Sequence, residues 1–247
     1  MTDKTRAIVL RTISYSDTSS VVNLYSRNHG RIAVMAKGVK RGRRPGRSAL
    51  LRPLTILDTE IKESSGQVHQ LRNYSLAYVP VTVPHSVVKT SLTIFLSEVL
   101  CSALREETGD QRLYDYIEGA AIELDSCGSG VANFHLMFML GLSRHLGFAP
   151  VTGQPAPPLV SDMANGVISA AGCMERAAPY DSAIADNICM AELIESLTCM
   201  TFTQLDQIKI GSSQRKALLN LLLQYYSEHI PGFRKIGSQL VLGDLFA

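Results

Sequence analysis

Pro80 and Pro84 stand where the chain changes its hydrophobic period from two to 3.6, and that change dictates most of what it can fold into. Upstream, Thr5–Ile13, Ser19–Ser26 and Arg31–Gly38 are short segments rich in Val, Ile, Leu and Tyr, separated by polar or glycine-containing breaks. Leu54–Lys62 and Gln67–Ser75 follow, joined by Glu63-Ser64-Ser65-Gly66, a hairpin loop by composition. Five strands with no helix-length segment among them predict a small closed barrel of the OB type. An SH3-like barrel fits the same pattern nearly as well.

Downstream the pattern is helical. Val88, Leu92, Phe95, Leu96, Val99 and Ala103 recur at steps of three and four, and Pro84 suits the first turn of that helix. A second helix is expected over Gln111–Leu124, and Gly128-Ser129-Gly130 reads as a linker to a third. The third, Val131–Leu146, is apolar nearly all round, so it belongs at the centre of a bundle, and Gly147 is placed to end it. Helix is expected again over Asp186–Met200 and Ser212–His229, the latter with Ser212 or Ser213 as N-cap and Pro231 as stop. Between them, 149–180 is irregular, with five prolines and an Asn165-Gly166 turn signal. The fold class expected is therefore α+β. Residues 1–79 form a five-stranded OB-fold domain, and residues 80–247 an α-helical domain carrying that loop-rich insertion.

Charge separates the same two regions. Residues 1–80 carry fourteen Lys and Arg against five Asp and Glu, a net of +9, whereas 81–247 carry ten against seventeen, a net of −7. Such a split suggests two bodies with different partners, the first drawn to a polyanion. Between Thr18 and Leu57 there is no acidic residue and there are nine bases, five of them in the eight positions Lys40–Arg47. Gly42, Pro45 and Gly46 interrupt that run, so it is a loop and not a helix face. On the preceding strand, alternation places Arg31, Ala33, Met35 and Lys37 on one side. A basic strand feeding a basic loop makes a groove for a nucleic-acid backbone, because Lys and Arg displace condensed counterions without reading sequence. The candidate DNA-binding residues are thus Arg31, Lys37, Lys40, Arg41, Arg43, Arg44 and Arg47. Tyr15 and Tyr25 are candidates to stack on bases, with core packing the competing role for Tyr25.

Other chemistries lack their residues. No CxxC occurs, the five cysteines are dispersed, and the six histidines include no HExxH, so no zinc or other cofactor is expected. GxxxxGK[ST] and GxSxG are both missing. Asp58, Glu60 and Glu63 are too few for two-metal work, and no catalytic residue is assigned. The N-terminus has no apolar export core and no apolar run reaches bilayer length, so a reduced cytoplasmic, nucleoid-associated setting without a membrane partner is expected.

Several segments together resemble the RecO family of bacterial DNA-repair proteins. TRAIVLRTI from Thr5 to Ile13, then Tyr15-Ser16-Asp17-Thr18-Ser19 and Leu24-Tyr25-Ser26, are similar to that family's first hairpin. Gly30-Arg31-Ile32, Ala36-Lys37-Gly38-Val39-Lys40 and, after an insertion, Ser48 resemble its most recognisable motif, and LLRPLTIL from Leu50 to Leu57 continues it. Gly141 to Pro150, GLSRHLGFAP, and the tail from Tyr225 through Ser238 match in the helical part. The resemblance implies an OB barrel followed by a helical domain, acting without turnover. It also implies binding of single-stranded DNA (duplex more weakly), annealing of complementary strands, and help in loading recombinase. RecR and the C-terminal tail of the single-strand-binding protein are the implied protein partners. The helical domain is the expected receptor for that acidic, apolar-ended tail, through an apolar pocket rimmed by bases, for which Arg105, Arg112 and Arg144 would have to cluster. One departure is visible: many family members carry two CxxC pairs after the Gly-Phe-x-Pro match, and here Val151–Cys173 holds only Cys173. The alternative from another class is an RNA- or ribosome-associated OB protein with a helical docking domain, and an enzyme is the third.

Overall fold

The computed structural model describes residues 2–39, 46–105, 108–150 and 190–246. Five strands, β1 (Thr2–Ser14), β2 (Ser20–Ser26), β3 (Gly30–Ala36), β4 (Ile56–Lys62) and β5 (Val68–Leu76), close into a barrel in the order β1-β2-β3-β5-β4. All neighbours are antiparallel except β3 and β5, which run parallel. This is the OB-type barrel the alternation predicts. The period of two explains its core directly. Val22 and Leu24 of β2 and Ile32, Val34 and Ala36 of β3 point inward onto Val9, Leu57 and Leu71. Full burial of each large aliphatic stabilises the barrel by about 1.5–3 kcal/mol. A bulge between Val9 and Arg11 lets Leu10 turn outward, where it is buried and its carbonyl accepts from the Ser97 hydroxyl.

Six helices lie among the described residues: α1 (Val87–Ala103), α2 (Gln111–Ser126), α3 (Phe134–His145), α4 (Met190–Cys199), α5 (Ser212–His229) and α6 (Gln239–Leu245). The chain forms two compact units, Met1–Ser126 with Arg234–Leu245, and Cys127–Phe233 with the last two residues. In the first unit the barrel packs with α1, whose Leu92, Phe95, Leu96, Val99 and Leu100 are buried. Ser86 caps α1 by accepting from the Lys89 N–H at 3.3 Å. In the second unit α3 is enclosed as its composition requires. Phe134 stacks on Phe202 at 4.6 Å, and the Tyr226 hydroxyl donates to the Met139 carbonyl at 2.6 Å.

Several local expectations shift. Pro84 sits in a separate 3-10 turn, Val83–His85, so α1 starts at Val87. Val131–Asn133 is likewise 3-10, and α3 proper begins at Phe134. The N-cap of α5 is Gly211 and not a serine, because the Gln214 side chain reaches back to the Gly211 N–H at 3.1 Å. β3 stops at Ala36, which leaves Lys37 one residue past the strand.

Candidate nucleic-acid interface

Unit one distributes its bases between two ends of the barrel. At the β2–β3 turn, bases meet acids. Arg27 pairs with Asp115 of α2 at 3.0 Å, Arg6 with Glu118 of α2 at 3.2 Å and with Asp58 of β4 at 3.4 Å, and Lys4 with Glu60 at 3.3 Å. His29 meets Asp3 at 2.6 Å, and that hydrogen bond holds the Asp3 carboxyl below its ordinary range against the opposing effect of burial. The α2 acids thus spend themselves on this end. Gly109, just ahead of α2, lies so close to the turn that a Cβ there would meet the Asn28 carbonyl oxygen at 2.5 Å. Tyr25 is packed against Tyr114, centroids 6.3 Å apart, so core packing is its role.

Along β3 and beyond it the candidate residues part company. Arg31 is half-buried, and its Nη1 donates to the carbonyls of Cys101 at 2.9 Å and Leu104 at 2.6 Å. It therefore satisfies the otherwise orphaned C-terminus of α1. Arg47 lies over the Tyr74 ring at 4.2 Å and donates from Nη2 to Asn73 Oδ1 at 3.2 Å, while the Tyr74 hydroxyl donates to the Arg47 carbonyl. Lys37 is exposed. Among the described residues none of Arg31, Lys37 and Arg47 forms an ion pair. Lys40, Arg41, Arg43 and Arg44 lie outside the described residues, but both edges of their segment are defined. Gly38 and Gly46 bracket it with φ of +70° and +92°, a left-handed backbone that L side chains resist. The Val39 N–H bonds the Thr18 carbonyl at 3.0 Å on one side, and Arg47 is clamped to β5 on the other. Sequence reasoning found the charges here but missed these clamps, because each partner lies at least 21 residues away.

Residues 1–79 match the family model described as Recombination protein O N terminal, and residues 84–236 that described as Recombination protein O C terminal. The chain belongs to the RecO family. RecO-family relatives cover it from end to end. The DNA repair protein RecO of Phocaeicola vulgatus is 29% identical over 248 residues, covering 100% of both chains. That of Azobacteroides pseudotrichonymphae is 27% identical and that of Christiangramia forsetii 29%, each covering 98% of both chains. RecO membership makes this a protein of DNA repair and recombination. Within this RecO chain, Arg105 and Arg112 fall in the first unit and Arg144 in the second, so no single unit gathers all three. Val151–Cys173, the segment in which the resemblance leads to an expectation of CxxC pairs, lies outside the described residues, as does Cys189. Among the described residues no group of three His, Cys, Asp or Glu is placed to hold a metal, and no helix is long and apolar enough to cross a membrane.

Proposed function

We propose that this protein binds single-stranded DNA through Lys37 and the basic segment Lys40–Arg47, anneals complementary strands and assists recombinase loading without catalytic turnover. The observation that carries the reading is the uneven pairing of charge on the barrel. Acids of α2, β1 and β4 meet the bases at the β2–β3 turn, whereas Lys37 and the five bases of Lys40–Arg47 occupy a stretch with no acidic residue from Thr18 to Leu57. Phosphate contact is assigned to Lys37, Lys40, Arg41, Arg43 and Arg44. Arg31 and Arg47 add positive potential while their guanidinium groups hold the frame. Duplex DNA binds the same charges more weakly, and RecR is a partner in the cytoplasmic, nucleoid-associated setting where this occurs.

Salt dependence tests the assignment. With four or five phosphates neutralised, log affinity for a labelled oligonucleotide falls against log salt with a slope of roughly −3 to −3.5. Replacing Arg41, Arg43 and Arg44 together by Ala flattens that slope by up to about two units and weakens all sequences alike. An unchanged slope in a folded triple variant places the DNA elsewhere.

For the tail of the single-strand-binding protein, unit one supplies an apolar pocket of about 270 Å³. Leu54, Ile56, Pro80, Pro84 and Ile94 line it, and the exposed Arg52 stands among them. The tail peptide is expected to bind wild-type protein and to lose binding with Ile94→Glu. Equal binding by that variant removes the pocket from the reading.

A further inference from the structure

The bases of the barrel differ in what already occupies them. At the β2–β3 turn, three side chains, Lys4, Arg6 and Arg27, meet four carboxylates, and those paired groups together carry a net charge of −1. Two of the carboxylates, Asp58 and Glu60, belong to β4 of the barrel itself. The other two, Asp115 and Glu118, are brought to the turn by α2, where a spacing of three sets them on one helix face. α2 is fastened without help from those charges. Leu113, Tyr114, Ile117 and Ala120 are buried, Tyr114 packs against Tyr25, and Gly109 abuts the Asn28 carbonyl. Apolar burial is not screened by salt as exposed ion pairs are. The helix therefore keeps its carboxylates in place when a mobile anion competes for the same bases.

Arg27 is the base that α2 takes up most directly. Its Nη2 lies 3.0 Å from Asp115 Oδ1 and 3.3 Å from Oδ2, while the side chain remains 37% exposed. Its guanidinium stands 5.6 Å from the centroid of the Tyr114 ring. A half-exposed guanidinium backed by an aromatic ring offers the N–H groups from which a phosphate oxygen also accepts, and Asp115 sits where that oxygen would. Arg6 is divided between Glu118 at 3.2 Å and Asp58 at 3.4 Å. Distance matters as well. β3 leads from this turn toward Lys37, and its seven residues extend roughly 20 Å at the usual rise per residue. A flexible polyanion held at Lys37 can cover that distance, so the charge it meets at the turn decides where it stops. Fixed negative groups there oppose its further advance without weakening its hold on Lys37.

We propose that Asp115 and Glu118 are fixed counter-charges that close the β2–β3 end of the barrel to a polyanion, and that Arg27 is a phosphate site which Asp115 fills. The proposal rests on the single-strand reading above and adds what limits the path of the strand. Its confinement is then set by repulsion at one end of the barrel as much as by attraction at the other. The two carboxylates act through Arg27 and Arg6 and touch no part of the bound strand.

The experiment is a cycle of four full-length proteins: wild type, Arg27→Gln, the pair Asp115→Asn with Glu118→Gln, and all three changes together. Each is titrated with a labelled oligothymidylate over a range of salt, with circular dichroism as the folding control. Exposed ion pairs contribute little to stability, so all four fold. Arg27→Gln alone leaves the wild-type slope unchanged, because its charge is already spent. The acid-free pair steepens the slope by about 0.7, the value for one added phosphate. Adding Arg27→Gln to that pair returns the slope to the wild-type value. An unchanged slope in the acid-free pair overturns the proposal, and so does a steepening that survives Arg27→Gln, which would be an effect of net charge alone. A slope flattened by Arg27→Gln in the wild-type background overturns it too, since Arg27 would then already hold a phosphate. In each of these cases the normal slope of wild type leaves the single-strand reading standing. A wild-type protein without salt-dependent binding defeats both.

Discussion

Arg31 illustrates how one side chain can look electrostatic in sequence and prove architectural in space. Its position on the outward side of β3, six residues before Lys37, places it with the DNA candidates by alternation. In the fold its guanidinium is committed to two carbonyls at the end of α1, 70 and 73 residues away. Those carbonyls have no intrahelical donors, so the loss of Arg31 leaves both short of a partner. Arg31→Met is therefore expected to lower stability by about 1–3 kcal/mol in urea titrations, since charge-assisted hydrogen bonds to buried acceptors are the costly ones to remove. Its effect on the salt slope of DNA binding should be small beside that of the Arg41, Arg43 and Arg44 triple. A variant with wild-type stability and a slope reduced by one phosphate would reverse the assignment of roles.

At the scale of elements, the junction between barrel and helices is organised by one carboxylate. Asp125 at the end of α2 accepts from the N–H groups of Val81, Thr82 and Val83 at 2.8 Å each and from the Tyr78 hydroxyl at 2.9 Å. Burial works against its charge, but these donors outweigh burial and hold its pKa at about 2. The folded-state value is depressed, so the stabilisation is fully present above the unfolded value and is lost as pH falls toward 2. Asp125→Asn should cost about 2 kcal/mol at neutral pH. In urea denaturation the gap to wild type should stay constant from neutrality to about pH 4 and narrow only below it. A gap that varies between pH 5 and 7 would assign the stabilisation to another group. No periodicity announces such a contact, because residues 81–83 and 125 belong to different elements. Long elements were legible: α5 spans Ser212–His229 as its apolar spacing predicts, although its N-cap is Gly211, and all five strands lie within three residues of where alternation places them. The short α6 was not, since seven residues hold too little local signal. It forms where Glu98 of α1 accepts from the N–H groups of Gly237 and Ser238 at 2.9 and 3.0 Å. The basic segment was legible as charge, while the glycine hinges and the Arg47 clamp that frame it depend on partners in β5 and the β1–β2 turn.

At the scale of the whole molecule, chain order and compaction diverge. The change of pattern at Pro80 and Pro84 separates strands from helices, yet α1, α2 and the segment Arg234–Leu245 belong to the same compact unit as the barrel. Asp115 and Glu118 belong with that unit, so part of the negative charge of residues 81–247 serves to neutralise barrel bases and leave the β3–β4 connection as the basic pole. The last fourteen residues also divide their loyalties. Ile236 and Leu242 are buried in unit one, where the Arg234 N–H bonds the Ser102 hydroxyl, whereas Phe246 stacks on His135 and lies beneath Arg215 in unit two. Two truncations separate these contributions. Ending the chain after Leu245 removes the carbonyl that accepts from Arg215 and the ring against His135, both in unit two. Amide exchange should then speed up in α3 and α5 with α1 unaffected. Ending it after Phe233 also strips two buried aliphatics and the Glu98 contacts from unit one. That deletion should destabilise unit one by about 3–6 kcal/mol from burial alone and raise exchange along α1. If α1 keeps its protection in the longer deletion, the C-terminal segment is not part of the unit that presents the basic pole, and only residues before Ser126 would build it.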